Sequence, residues 1–229
     1  MSVSAPAFGN EIDRAAPVSL PTVLRHRLNG NYPIDPFGAD PELIDVAMQA
    51  TRPFVRVRVE HADRLPAVGG ALLVANRSSL ALFEPTALAI GVRQATGRRL
   101  RVIGAPDVPI ASSVLHKLGA LGSHPEDAAA LLRAGHLAAA PLAPSPFRPV
   151  AGEPPRELLS AILGFPVFPV VVLPGGPFGL PLRRWRVVIG EMIATRLDPT
   201  ARDSLAAAEL AERVRDAVDR LLRRSAGPK

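Results

Sequence analysis

The stretch Leu72–Pro85, LLVANRSSLALFEP, decides how the rest of the chain reads. With Ala71 it opens as an apolar run, Ala71–Ala75, of a length that suits a buried strand. The run stops at Asn76, Arg77, Ser78 and Ser79, and a helical stretch then begins at Pro85 and continues through Ala89. A buried strand leading through a polar loop into a helix is the unit of α/β proteins, whose strand-end loops usually carry the chemistry. Asn76, Arg77, Ser78 and Ser79 are therefore the first candidate site residues.

The flanks extend the pattern. Upstream, VRVRVE (Val55–Glu60) alternates strictly, as an edge or half-exposed strand does. Before it, DPELIDVAMQATRPF offers Asp40 as N-cap, Pro41 at the first helical position, and a modest apolar face of Leu43, Val46, Ala47 and Ala50. Residues 1–36, rich in Pro, Ser, Ala and Asn, read as an N-terminal arm with one short helical stretch, leaving 37–229 as the domain. Met1–Ala16 lacks a basic start followed by an apolar run, so no secretory signal is expected.

Downstream, LRVIG (Leu100–Gly104) is a second buried strand. SHPEDAAALLRAG predicts a helix with Ser123 and Glu126 as capping box and Gly135 as its stop. A weak strand, Leu137–Ala140, and a proline-rich loop follow, then two strong strands, VFPVVVL and WRVVIG. From Asp203 onward, Leu210, Val214, Val218, Leu221 and Leu222 mark a terminal amphipathic helix with a basic end, Arg223 and Arg224. The uncharged stretch Leu158–Leu182 is long enough to span a membrane. Pro166, Pro169, Pro174, Pro177 and Pro181 forbid a helix there, so it reads as a strand followed by an apolar loop. The expected class is α/β: a single domain with a mixed sheet flanked by helices.

Composition narrows the function. Hydrophobic residues make up 48% of the 229, which suits a globular domain. With no cysteine, disulfides, thiolate metal sites and cysteine nucleophiles are excluded. His116, His124 and His136 show no metal-ligand spacing, and no metal is expected. The net charge of +6 favours anionic partners such as phospholipid headgroups. Scattered arginines, 4% aromatic residues and the absence of a nucleic-acid motif argue against nucleic acid. In LPGGPFGLPLRRWR, a proline-stiffened loop carrying Phe178 and Leu180 runs into Arg183, Arg184 and Trp185. That pattern fits a peripheral membrane contact, with apolar tips in the acyl boundary and arginines on anionic headgroups. The other reading is that Trp185 begins the last strand and the loop packs on the protein's own core.

Four stretches, covering roughly Tyr32–Arg196, resemble the glycerolipid (PlsC-like, lysophospholipid) acyltransferase family in its actinobacterial form. YPIDPFGADPELID resembles that subgroup's lead-in, and LPAVGGALLVANRSS the strand entering its N-H-x-D-type motif. LHKLGALGSHPEDAAALLRAGHL is similar to the segment before the P-E-G block, and FPVFPVVVL to the late strand. The resemblance implies the family's fold and its reaction. In that reaction a histidine deprotonates an acceptor hydroxyl, which attacks the thioester of acyl-CoA or acyl carrier protein, and no further cofactor takes part. An acidic residue a few positions later holds and charges that histidine, and the P-E-G block with a nearby arginine binds the phosphate of the acceptor, a lysophospholipid-like molecule.

Carried over position by position, the histidine falls on Arg77. The acid falls on Glu84 with the longer spacing or on Leu82 with the shorter. The P-E-G positions fall on Leu142, Ala143 and Pro144, the next threonine on Ser145, and the arginine on Pro146, with Arg148 displaced. The resemblance also gives Asn76, Ser78, Ser79, Ser145 and Arg148 as substrate-side residues. An arginine keeps its proton up to pH about 12 and cannot act as the base. Loss of a general base lowers a rate by about two to four powers of ten.

The expected protein is thus a catalytically degenerate member that binds a phospholipid or acyl ligand, or partners an active acyltransferase. Its expected place is cytoplasmic, peripheral on the inner face of the plasma membrane. An active enzyme with a rearranged site and a soluble scaffold without lipid ligand are the alternatives. At residue level, Arg77 and Glu84 also fit a surface ion pair, Arg77 an anion clamp, Glu84 a complement to a helix N-terminus, and Ser78 and Ser79 helix caps. Arg77 and Glu84 pointing into an open groove with an apolar tunnel behind them favours ligand binding, and a groove filled by bulky residues or the proline-rich loop favours the scaffold.

Overall fold

All five residues of β2 (Ala71–Ala75) are buried, and the strand has a parallel neighbour on each side. The computed structural model describes residues 19–51, 53–76, 83–104, 111–145, 148–153, 156–174, 184–195 and 204–225. In chain order the strands are β1 (Arg56–Glu60), β2, β3 (Leu100–Ile103), β4 (Ala120–Leu121), β5 (Leu137–Pro141), β6 (Ala143–Ser145), β7 (Arg148–Glu153), β8 (Val167–Pro174) and β9 (Arg184–Ile189). The helices are α1 (Leu20–Leu28), α2 (Pro41–Thr51), α3 (Phe83–Thr96), α4 (Ala111–Lys117), α5 (Pro125–Arg133), α6 (Arg156–Ala161) and α7 (Ser204–Ser225).

Seven strands form one sheet in the order β1-β9-β8-β2-β5-β3-β4, parallel throughout except where β8 meets β9. The fold is therefore a single α/β domain with a mixed sheet flanked by helices. The two-residue periodicity of the strands sorts their side chains onto two layers. Leu72, Val74, Ala138 and Val171 join Leu131 and Leu132 of α5, Leu159 of α6 and Val214 and Val218 of α7 on one face. Leu73, Ala139, Val170, Trp185 and Val187 meet Ala87, Leu88 and Val92 of α3 on the other. The alternating segment at Val55–Glu60 becomes β1, an edge strand. The weak strand, low in β-propensity because of its alanines, lies mid-sheet as β5 and is held by ladders to β2 and β3.

Several local expectations are corrected. Pro125 occupies N1 of α5, so the cap falls on His124, whose side chain makes no capping bond, and Ser123 and Glu126 form no capping box. Gly135, at φ +88°, does follow the helix stop. The proline-rich segment is not simply a loop: β6 and β7 pair as an antiparallel ribbon with Ser145 opposite Arg148. A two-stranded ribbon has only edge strands, where proline's missing N–H is tolerated.

Helix α2 inverts its expected face. Asp40 does cap it, accepting from the Leu43 amide at 3.0 Å, but its buried residues are Glu42 and Asp45, while Ala50 is exposed. The cause is long-range pairing. Asp45 takes a two-point bond from Arg99 (2.7 and 3.2 Å), His26 of α1 bonds Glu42, Arg27 pairs with Asp40, and Arg101 pairs with Asp35. Asp35, Asp40 and Asp45 thus tie the segment before β1 to β3, the residues just before it, and α1. Arg98, fully buried, donates instead to the carbonyls of Pro66, Gly69 and Gly135.

Candidate functional site

β2 ends at Asn76, a residue only 3% exposed. Its Nδ2 donates to the Val172 carbonyl at 3.2 Å, and the Val172 amide donates to its Oδ1 at 2.6 Å. The Asn76 amide itself donates to the Val170 carbonyl at 3.2 Å. Only an amide side chain offers donor and acceptor on one short planar group, so Asn76 continues the β2–β8 ladder past the strand end. The residue expected to bind substrate has its amide committed to β8 and acts as a fixed wall.

Glu84 sits in the first turn of α3 and is 4% exposed. A carboxylate is favoured there by the partial positive charge of the helix N-terminus. The carboxylate is buried and not at the surface, and Arg77, its expected partner, lies outside the described residues. Both Glu84 and Asn76 line a cavity of about 560 Å³ between α3 and the sheet, within the size range of small-molecule pockets. Arg93, nine residues further along α3 and so about 13 Å along its axis, lines it too.

The hollow follows from small residues on facing layers. Packed layers stand about 10 Å apart, and here the sheet offers Ala75, Ala139 and Ala120 where α3 offers Ala89 and Thr86. Ile44 and Met48 of α2, with Leu115 and Leu118 at α4, complete apolar walls. Asp45, Arg93 and Arg99 also line the space, with Arg93 Nη2 at 3.5 Å from Asp45. The space thus has an apolar middle between two polar ends, Asn76 with Glu84 and Asp45 with Arg93 and Arg99. Behind Glu84 there is thus a cavity and not a filled groove; Arg77, the other residue expected to face it, lies outside the described residues.

The other expected site residues do not all gather here. Arg77, Ser78 and Ser79 lie outside the described residues, as do Phe178, Leu180 and Arg183. Ser145 and Arg148 face each other across the ribbon β6–β7. Leu142, at the first of the altered P-E-G positions, is fully buried, with its amide donating to the Ala75 carbonyl at 2.9 Å. That position fills core. Trp185, expected at a membrane, is corrected: it is 2% exposed within the core between β9 and α3, while Arg184 before it is exposed.

Among the described residues, no cluster of three or more His, Asp or Glu side chains could hold a metal ion. None of the described helices is long and apolar enough to cross a membrane. Sequence reading missed Asp45, Arg93 and Arg99. The signal was present as acids at five-residue intervals, Asp35, Asp40 and Asp45, with an arginine run at Arg98–Arg101.

An uncharacterized protein of Mycobacterium leprae is 30% identical to this chain over 259 residues, covering 88% of this chain and 70% of that protein. The chain belongs to that protein's family. Uncharacterized relatives in Mycobacterium bovis and Mycobacterium tuberculosis are each 28% identical over 256 residues, covering 88% of this chain and 72% of theirs. No protein-family model matches. Among solved structures, the 1-acyl-sn-glycerophosphate (LPA) acyltransferase PlsC from Thermotoga maritima superposes with a TM-score of 0.51 at 18% identity, covering 81% of this chain and 78% of that one. The chain therefore has the fold of that acyltransferase.

Proposed function

We propose that this protein binds the acyl chain of a phospholipid or acyl thioester in the cavity behind Asn76 and Glu84 and does not transfer it. The observation that carries the reading is the cavity of about 560 Å³, with largely apolar walls, beside Asn76 and Glu84 in a fold shared with an acyltransferase. Each methylene moved from water into such a space gains about 0.8 kcal/mol. Catalysis fails at Arg77, which has no lone pair with which to take the acceptor's proton at neutral pH. It fails again at Leu142, a core side chain where the family resemblance places the start of the phosphate-binding block.

The acyl group comes from acyl-CoA, acyl carrier protein or the membrane itself. The protein works on the cytoplasmic face of the plasma membrane, delivering or withholding the acyl group for an active acyltransferase. Arg184 and the segment before it form the peripheral contact. A ligand bound only by the folded state raises the melting temperature with concentration. Long-chain fatty acid should therefore raise it progressively, and a short-chain acid at the same concentration should not. Equal shifts with both would remove the cavity from the account.

Burial of Glu84 beside the cavity favours one second reading, an acyltransferase with a rearranged base. It requires turnover from acyl-CoA and lysophosphatidic acid that Glu84→Ala abolishes. Under the leading proposal, Arg77→His pairs a histidine with Glu84 but restores little turnover, because the residues at Leu142–Pro144 remain unsuited to phosphate. Full activity from that single change would show the second block to be dispensable.

A further inference from the structure

A second cleft, of about 450 Å³, lies on the opposite face of the sheet, over β9 and β1 and beneath α7. Side-chain alternation places Glu60, Arg186 and Val188 on that face, since Val59, Val187 and Ile189 all point to the α3 side. The cleft is thus separated from the acyl cavity by the thickness of the sheet.

Its arginines divide into two kinds. Arg186 is tied to Glu60 through two bonds (2.9 and 3.0 Å) and donates to the Ser225 carbonyl, while Arg64 donates to the Ile189 carbonyl at 2.8 Å. These hold the walls together. Arg213, Arg220 and Arg224 are exposed on α7 and line the cleft, and among the described residues they form no ion pair. Spaced at seven and four residues, they fall on one helix face. Asp216, on the same face, is also unpaired among the described residues. Helix-dipole complementarity accounts for a cation in the last turn, as with Arg224, but not for Arg213, which lies three turns earlier.

Beside these guanidiniums the cleft carries an apolar strip among polar side chains that include His61 and the exposed carboxylate of Glu191. Met192, 57% exposed, stands with Ile193, Val188 and Leu221. Guanidinium forks match phosphate oxygens in geometry and charge, and the apolar strip offers contact to the face of a planar ring.

We infer that this cleft is a binding site for a nucleoside diphosphate, a ligand whose linked phosphates lie on Arg220 and Arg224 and whose base lies against Met192 and Ile193. Arg213 supports the outer phosphate, and Asp216 opposes it. The site owes nothing to the acyl chemistry on the other face, and its failure would leave the acyl-binding proposal untouched.

Calorimetric titration of the full chain with ADP, inorganic pyrophosphate and phosphatidic-acid vesicles tests it. ADP should bind saturably at one site and more tightly than pyrophosphate, because the apolar strip adds contacts the base alone can use. Arg220→Ala and Arg224→Ala should each weaken ADP about tenfold, and Asp216→Asn should tighten it. Arg133→Ala, an exposed arginine on α5, should change nothing. All these positions are exposed, so loss of folding does not confuse the result. Absence of saturable ADP binding, an equal loss in Arg133→Ala, or binding to vesicles alone would overturn the inference.

Discussion

Replacing Ala139 by leucine puts the cavity to a direct test. Ala139 lies in the middle of β5, 4% exposed, with its side chain toward α3 and the hollow. Leucine adds three carbons, and if these enter empty space they bury apolar surface at about 0.8 kcal/mol per carbon, a gain of up to about 2.4 kcal/mol. The same carbons deny a bound acyl chain the room of about three methylenes. The ligand then loses about 2.4 kcal/mol, roughly a fiftyfold rise in dissociation constant. The adjacent residue supplies the contrast. Ala138 faces the other way, into a core shared with Leu131, Leu159 and Ile162, where added volume costs about 1–3 kcal/mol. Urea unfolding of both variants, with displacement of a fluorescent fatty-acid probe, reads both quantities. Ala139→Leu should keep or raise stability and lose the probe, whereas Ala138→Leu should be destabilised. If Ala139→Leu binds the probe as the parent does, the acyl chain does not occupy this space. If it is as unstable as Ala138→Leu, the space is not there.

Other consequences can be checked separately. Asn76→Ala removes both side-chain bonds to Val172 and leaves buried backbone groups unpaired, so denaturant unfolding should show a loss of about 2–4 kcal/mol; an unchanged midpoint would mean the strand end is not held there. The bond from Arg186, together with its charge and those of Arg58 and His61, outweighs burial and holds Glu60 below its ordinary 4.5. Because the folded value is the lower one, the pair's stabilisation is present above the unfolded value and lost as the pH falls through the folded value. Unfolding measured from pH 7 down to about 3 should therefore show Glu60→Gln converging with the parent at the acid end. Co-sedimentation with anionic liposomes should weaken with salt and fall sharply in Arg183→Ala/Arg184→Ala, and equal sedimentation would remove that segment as the membrane contact.

How much of this was legible in the sequence depended on the range of the interaction. The apolar runs at Ala71–Ala75 and Val167–Leu173, the alternation at Val55–Glu60 and the Asp40 cap are local signals, and each appears in the structure. Asp45 sits among Leu43, Val46 and Ala47, and nothing nearby says that it is buried. Its partner Arg99 is 54 residues away. The two-residue strand Ala120–Leu121 is too short for any periodicity. One proline moved a cap: Pro125 fixed N1, so His124 took the position assigned to Ser123. The cavity was hidden for a different reason. It consists of missing volume at Ala75, Ala89, Ala120 and Ala139, and a hydrophobicity pattern records which residues are apolar but not whether they fill the layer they share.

The central claim is that acyl groups enter this protein and leave unchanged. It is tested most directly by mixing the full chain with long-chain acyl-CoA and lysophosphatidic acid, desalting, and identifying the lipids in the protein and filtrate fractions by mass spectrometry. The account predicts an acyl species recovered with the protein in saturable amount and no diacyl product above a protein-free control. A diacyl product that forms with the parent chain and vanishes in Glu84→Ala would contradict it.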